Sequence, residues 1–170
     1  IEIMEARILA AHSLQWSRVQ LITQSKQALS AAQVDDIQRL FERRQQGEPI
    51  AYLMGQREFY GLSFEVTPAV LIPRPETELL VELALEHMTP DARVIDMGTG
   101  SGAIAVALAH ARPESKIFAS DVSQQALAVA QRNSNHHQTD VTFFQSDWYE
   151  HVSGKFDLIV SNPPYIHAGD

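Results

Sequence analysis

The apolar positions of the chain change period twice. Over residues 1–46 they recur at helical spacing: Ile3, Ile8, Leu9 and Leu14, then more cleanly Val34, Ile37, Leu40 and Phe41. Ser30 followed by Gln33 has the form of a capping box ahead of the second run, and Gly47 and Pro49 stop it. Residues 56–72 alternate instead. Phe59, Leu62, Phe64 and Val66, with Gly61 at the bend, predict a β-hairpin. Pro73, Arg74 and Pro75 then open a further helix, with Glu76 and Glu78 near its positive end and Leu79, Leu80 and Leu83 expected beneath.

Beyond residue 92 strand and helix patterns alternate: strands at 93–96, 116–121, 141–147 and 156–161, helices at 103–111 and 123–135. That alternation implies a parallel α/β sheet. No internal repeat and no low-complexity tract interrupts it. The helical stretch reads as a separate N-terminal domain, joined through the hairpin. The chain stops a few residues after the fourth strand, where an open sheet would leave one edge and one face uncovered, so C-terminal strands are expected to be missing. A first residue of Ile rather than Met fits the same expectation of a fragment.

Composition narrows the class. The 170 residues, 45% hydrophobic and 20% charged, suffice for a domain or a domain and a half, and exclude a disordered chain, a collagen and a coiled-coil rod. No apolar run approaches the roughly 18 residues that span a bilayer, and Glu2, Glu5 and Arg7 break up any signal-peptide core. Cysteine is absent, which removes disulfides, thiolate catalysis and Cys-ligated zinc and fits a reducing cytoplasm. The seven histidines form no metal-ligand set; His136 and His137 read as solvated, Trp16 and Phe41 as core.

The net charge of −8 is carried wholly by residues 61–170, because acidic and basic residues balance over 1–60. A non-specific nucleic-acid binder needs a basic face, and none is present. Arg39, Arg43 and Arg44 share a helical face, read as solvated, with an acidic partner as the alternative.

Two motifs carry chemistry. The first is a glycine loop, Gly98-Thr99-Gly100-Ser101-Gly102, leaving a strand and opening a helix. Glycines permit a tight turn and close approach of backbone to ligand, and the helix start offers free N–H groups. Asp121 ends the next strand, where a carboxylate can accept from both hydroxyls of a ribose; its plainer role is to precede the helix at Ser123. Asp147 and Trp148 end the third strand, suited to an adenine amino group and its ring. A nucleoside site follows, but this much does not separate a dinucleotide from S-adenosylmethionine, since Ala103 also satisfies the relaxed dinucleotide fingerprint.

The second motif is Asn162-Pro163-Pro164-Tyr165 at the end of the fourth strand. Two prolines remove two N–H donors and stiffen the loop. What remains is rich in acceptors, the Asn162 side-chain oxygen and the Pro163 carbonyl, with Tyr165 as an aromatic face. Such a site suits a planar –NH2 group with two hydrogens to place. Its nitrogen is a poor nucleophile because the lone pair is delocalised. Two fixed acceptors can aim that lone pair at a sulfonium methyl, which is catalysis by orientation and electrostatics.

With these residues in view, the chain resembles the HemK/PrmC family, methyltransferases that modify the glutamine of the GGQ motif in class I peptide chain release factors. The resemblance rests on Gly47-Glu48-Pro49-Ile50-Ala51-Tyr52-Leu53, Arg57-Glu58-Phe59, Ile72-Pro73-Arg74-Pro75-Glu76-Thr77-Glu78, the glycine loop, Ser146-Asp147-Trp148 and Asn162-Pro163-Pro164-Tyr165. It implies a Rossmann-like class I methyltransferase sheet, preceded by a small all-helical domain and a β-hairpin linker. The expected division is a substrate-docking domain at 1–48, the linker at 49–74 and a methyltransferase domain at 75–170, truncated at its C-terminus. S-adenosylmethionine is the implied cofactor, leaving as S-adenosylhomocysteine, and class I release factors are the implied partners, with no direct nucleic acid and no membrane. By the resemblance, Gly98, Thr99, Gly100, Ser101, Gly102, Asp121, Asp147, Trp148 and Asn162 bind cofactor. Asn162, Pro163, Pro164 and Tyr165 hold the substrate glutamine, Asn162 is catalytic, and residues 73–76 help to line the pocket. Two departures are expected from the family pattern: the first helix and the last strands of a seven-stranded sheet are missing.

Three other readings compete. An adenine-specific DNA or RNA methyltransferase would present the same amine to the same tetrapeptide but needs a basic channel. A nicotinamide-dependent oxidoreductase accounts for the glycine loop and leaves the tetrapeptide unexplained. A non-catalytic fragment that binds a release factor would need no cofactor.

Overall fold

In a computed structural model, which describes residues 1–163, the chain divides into two units, Ile1–Gly55 and Gln56–Asp170.

The first unit is helical: α1 (Ile3–Leu14), α2 (Arg18–Thr23), α3 (Ala31–Gln45) and α4 (Ile50–Met54). The expected box at Ser30 and Gln33 caps α3 in both directions, and Ser17 with Gln20 builds a second box on α2. Pro49 does more than end a helix. It stands at the N-cap of α4, whose C-cap Gly55 takes the left-handed φ of 70°. Among the described residues, only Leu9 and Leu53 of this unit are fully buried hydrophobics, and Trp16 and Phe41 are half-buried. Polar contacts supplement this small core: the Arg44 guanidinium reaches Glu5 of α1 at 2.7 Å. Arg43 pairs with Glu48 and Arg39 with Asp36, so all three arginines of the basic face have acidic partners inside the unit.

The second unit opens with the expected hairpin, β1 (Gln56–Phe59) and β2 (Leu62–Glu65). Tyr60 and Gly61 both have positive φ (51° and 73°), the two-residue turn whose twist suits paired strands. It places Phe59 and Phe64 edge to face, both fully buried. A 3₁₀ turn over Pro75–Thr77 leads into α5 (Glu78–His87). The buried face of α5 is Val81 and Ala84, continued by Met88, whereas Leu79 and Leu83 are exposed. The leucine run misleads because it is interleaved with the narrower stripe at 81, 84 and 88 that meets the core.

The remaining elements alternate: β3 (Arg93–Met97), α6 (Ala103–Ala111), β4 (Lys116–Asp121), α7 (Gln124–His136), β5 (Val141–Gln145) and β6 (Leu158–Val160). Among the described residues they form one parallel sheet in the order β5-β4-β3-β6. Successive strands step one way from β3, and β6 then pairs on its other side. The C-terminal ends of β3 and β6 therefore flank a topological switch point, where such sheets form a ligand crevice. Strand β3 is buried from Val94 to Met97, and α6 from Ala103 to Ala109, small residues letting it lie close to the sheet.

Asn133 of α7, 2% exposed, ties the hairpin to the glycine loop. Its Oδ1 accepts from the Glu65 N–H at 2.7 Å, and its Nδ2 donates to the carbonyls of Glu65 (3.0 Å) and Ser101 (2.8 Å). Beside it Arg132 pairs with both carboxylate oxygens of Glu65. His137 corrects its expected solvation: its Nε2 bonds the Ser63 carbonyl at 2.7 Å and its ring packs on Phe64. Replacing Asn133 by Ala strands three backbone groups, and the expected cost is about 3 kcal/mol. Urea denaturation of wild type and Asn133→Ala checks this, and equal midpoints would contradict the bridging role.

Candidate active site at the switch point

The glycine loop is shaped by where its N–H groups go. Those of Gly98 and Thr99 both donate to the Ser120 carbonyl of β4, at 2.9 and 3.0 Å, and that of Gly102 turns back to Thr99 at 2.9 Å. Gly98, Gly100 and Gly102 have φ of 74°, 54° and 80°, a region that costs any residue with a Cβ. The three differ in surroundings. A Cβ on Gly98 or Gly100 would meet nothing within 4 Å, whereas one on Gly102 would lie 2.9 Å from the Ala130 Cβ of α7. Gly98 and Gly100 thus leave open space beside the loop, and Gly102 admits the packing of a neighbouring helix.

Asp121 meets this loop directly. One carboxylate oxygen accepts from the Gly100 N–H at 2.9 Å and the other from the Ser123 N–H at 2.9 Å, so the carboxylate braces the loop and the approach to α7 together. Each oxygen retains a lone pair for a further donor. The Ser146 N–H bonds the Asp121 carbonyl at 3.1 Å, which sets the end of β5 beside it. Asp147 is exposed there, and Trp148, at φ 46°, is 52% exposed.

On the other side of β3, the Ser161 hydroxyl donates to the Met97 carbonyl at 2.7 Å. Asn162 follows, and its Nδ2 donates to Thr77 Oγ1 at 2.8 Å. One pocket brings together the loop residues 98–101, Ala103 and Ile104 at the start of α6, Asn162, Phe59 of the hairpin, residues 71–74 and Thr77. Asp121 adjoins it through Gly100, while Asp147 and Trp148 lie beyond the end of β5. Pro163 is half-buried next to Asn162, and Pro164 and Tyr165 lie outside the described residues.

Sequence reading overlooked three contributors. Phe59 and Thr77 line the pocket from elements distant in sequence. The third is Asp96, fully buried beneath the loop. Its Oδ2 accepts from the Thr99 hydroxyl at 2.6 Å, and its Oδ1 is buried without a hydrogen-bond partner among the described residues. Burial lifts its pKa to about 6 against the opposing pull of the Thr99 hydroxyl and the Ala105 N–H, and the Asp121 charge adds to the rise. An acid inside the apolar run from Val94 to Met97 was the available signal.

Two family matches cover most of the chain. Residues 75–170 match the methyltransferase small domain, and residues 2–55 match the PrmC N-terminal domain. The chain belongs to the HemK/PrmC branch of the methyltransferase small-domain family. Similar curated proteins include the release factor glutamine methyltransferase of Burkholderia pseudomallei, 48% identical over 100% of this chain and 63% of that protein. That of Aliivibrio fischeri is 44% identical over 98% of this chain and 60% of its own length. The chain therefore spans about three-fifths of the length of these relatives. Among solved structures, a 16S rRNA methyltransferase of T. thermophilus in complex with AdoMet and guanosine matches with a TM-score of 0.57 and 25% identity, over 68% of this chain and 33% of that one. A tRNA methyltransferase of Pyrococcus abyssi, with a TM-score of 0.54 and 20% identity over 64% of this chain and 28% of its own, shares the fold.

The Asp96 environment in this HemK/PrmC member sets a sign for pH dependence. Its folded pKa of about 6 lies above the ordinary 3.8, so the folded state holds the proton more tightly than the unfolded one. The stability due to the neutral carboxyl is complete below about pH 4 and lost as pH rises through 6, some 3 kcal/mol in all. Asp96→Asn removes this dependence, and at pH 8 it is expected to be the more stable protein. Urea midpoints at pH 4, 6 and 8 test this; a constant difference between the two proteins would contradict it.

Proposed function

We propose that this chain is the greater part of an enzyme that transfers a methyl group from S-adenosylmethionine to the side-chain amide nitrogen of the GGQ glutamine of class I peptide chain release factors. The observation that carries the reading is the meeting of Asn162 with the glycine loop at the switch point, on a chain similar throughout to proteins named release factor glutamine methyltransferase.

The residues fit the cofactor. Gly98 and Gly100 leave the space that a Cβ would take, beside backbone free to approach a ligand. Asp121 keeps accepting capacity for two ribose hydroxyls. Asp147 and Trp148 are exposed at the adjoining strand end for an adenine. S-adenosylmethionine supplies a methyl on a positively charged sulfur.

The protein's part is then to orient the nitrogen. The Asn162 oxygen and the Pro163 carbonyl accept the two amide hydrogens of the glutamine, which fixes the amide plane so that the lone pair, perpendicular to it, faces the methyl. Pro73 and Arg74 line the pocket beside it, and a part for Tyr165 in holding the glutamine rests on the family resemblance alone. No strong general base is required, because the methylated amide loses its proton readily once it carries positive charge. Residues 1–48 serve to dock the release factor, 49–74 link, and 75–170 hold the chemistry. The acidic net charge of −8 favours a protein over a nucleic-acid substrate, and translation factors place the reaction in the cytoplasm.

In the full-length protein, Asn162→Ala is expected to lower methyl transfer to the GGQ glutamine at saturating S-adenosylmethionine by about 100-fold or more, beyond any loss of cofactor affinity. Labelled-methyl transfer to a purified release factor, beside a cofactor titration, decides it. A wild type that binds cofactor and methylates adenine in DNA or RNA, and not the factor, would overturn the substrate.

A further inference from the structure

We propose that Thr77 is a positioning residue for this transfer: its hydroxyl holds the Asn162 amide by the nitrogen end, so that Oδ1 is presented to the amide being methylated. The inference rests on the reading of Asn162 as the catalytic acceptor.

An Asn side chain at a strand exit turns broadly about its last torsion, and its two ends are an acceptor and a donor. A hydroxyl can accept from the nitrogen end or donate to the oxygen end, so the end that faces away follows from the bond actually made. Nδ2 of Asn162 donates to Thr77 Oγ1 at 2.8 Å, joining residues 85 positions apart.

Thr77 stands at the N-cap of α5, where threonine ordinarily accepts from the helix's own first turn. Here it makes no such bond. Its backbone is already helical (φ −72°, ψ −17°), and the hydroxyl is directed to Asn162 instead. The helix forgoes a side-chain cap at this end, and the hydroxyl is committed across the pocket.

Both ends of the contact are fixed independently. The Thr77 N–H donates to the Arg74 carbonyl at 3.0 Å, and a carboxylate oxygen of the next residue, Glu78, accepts from the Tyr60 N–H at 3.0 Å. Opposite, the Ser161 hydroxyl on the Met97 carbonyl sets the chain entering Asn162. The bond therefore joins the hairpin side of the pocket to the sheet side, with Gly98 and Gly100 lining the same space.

The test uses the full-length protein with Thr77→Val, close in shape but without the hydroxyl, and Thr77→Ser, which restores it. Three readouts apply: kcat and KM for a release-factor substrate, the Kd for S-adenosylmethionine, and the nitrogen-15 spectrum of the Asn162 side-chain amide. The valine variant is expected to lose about 10- to 100-fold in kcat, with KM and Kd within about twofold. The two amide protons of Asn162 stay distinct in every variant because rotation about the C–N bond is slow, but in the valine variant their shifts and that of Nδ2 should move away from the positions shared by wild type and the serine variant. Serine should restore both kcat and the spectrum. An unchanged kcat in Thr77→Val, or a valine spectrum like that of wild type, overturns the proposal; so does a serine variant as impaired as the valine one. If wild type itself methylates no glutamine, the proposed reaction fails, and the amide spectrum still decides whether Thr77 holds Asn162.

Discussion

A chain that turns from a buried strand into a buried helix must place its backbone N–H groups somewhere, and this constraint organises the second unit. At the end of β3 the neighbouring strand takes three of them. The Ser120 carbonyl accepts two, and the Asp121 carboxylate accepts the Gly100 N–H. Three glycines at positive φ make the path possible, and the absence of side chains at Gly98 and Gly100 leaves a concave surface. The ligand crevice is thus a consequence of how backbone polarity is satisfied at a strand exit.

That loop is supported from behind by packing and by one buried amide. Ala130 sits against Gly102, and Asn133 binds both the Ser101 carbonyl and the backbone of Glu65. In front, the pocket is completed by the segment after the hairpin and by Asn162 at the end of β6. The glycine-loop wall and the Asn162 wall of the pocket therefore come from different parts of the chain. The strand-order reversal between β3 and β6 sets them side by side.

Much of this was legible in the amino-acid pattern. The βα alternation, the hairpin bend at Gly61 and the capping box at Ser30 are local signals with local causes, and the structure reproduces them. Leu79 and Leu83 were misread because helical spacing shows that an apolar stripe exists without showing which of two interleaved stripes meets the sheet. The short helix after Pro49 is too brief to display a period. Thr77 and Phe59 enter the pocket through contacts between residues far apart in sequence, which no spacing rule reaches. Asp96 left a trace, an acid in the apolar run 94–97, but its burial and its bond to Thr99 emerge only once the loop is folded over it.

The Asp121 carboxylate shapes the glycine loop through the Gly100 and Ser123 N–H groups, and the proposed function requires it to receive the nucleoside as well. Equilibrium dialysis of labelled S-adenosylmethionine against full-length wild type and Asp121→Ala measures it directly. Wild type is expected to bind, and the variant to show a Kd raised at least about tenfold, the loss of one or two charge-assisted hydrogen bonds, with both proteins folded by circular dichroism. A folded variant that binds as tightly as wild type would contradict it.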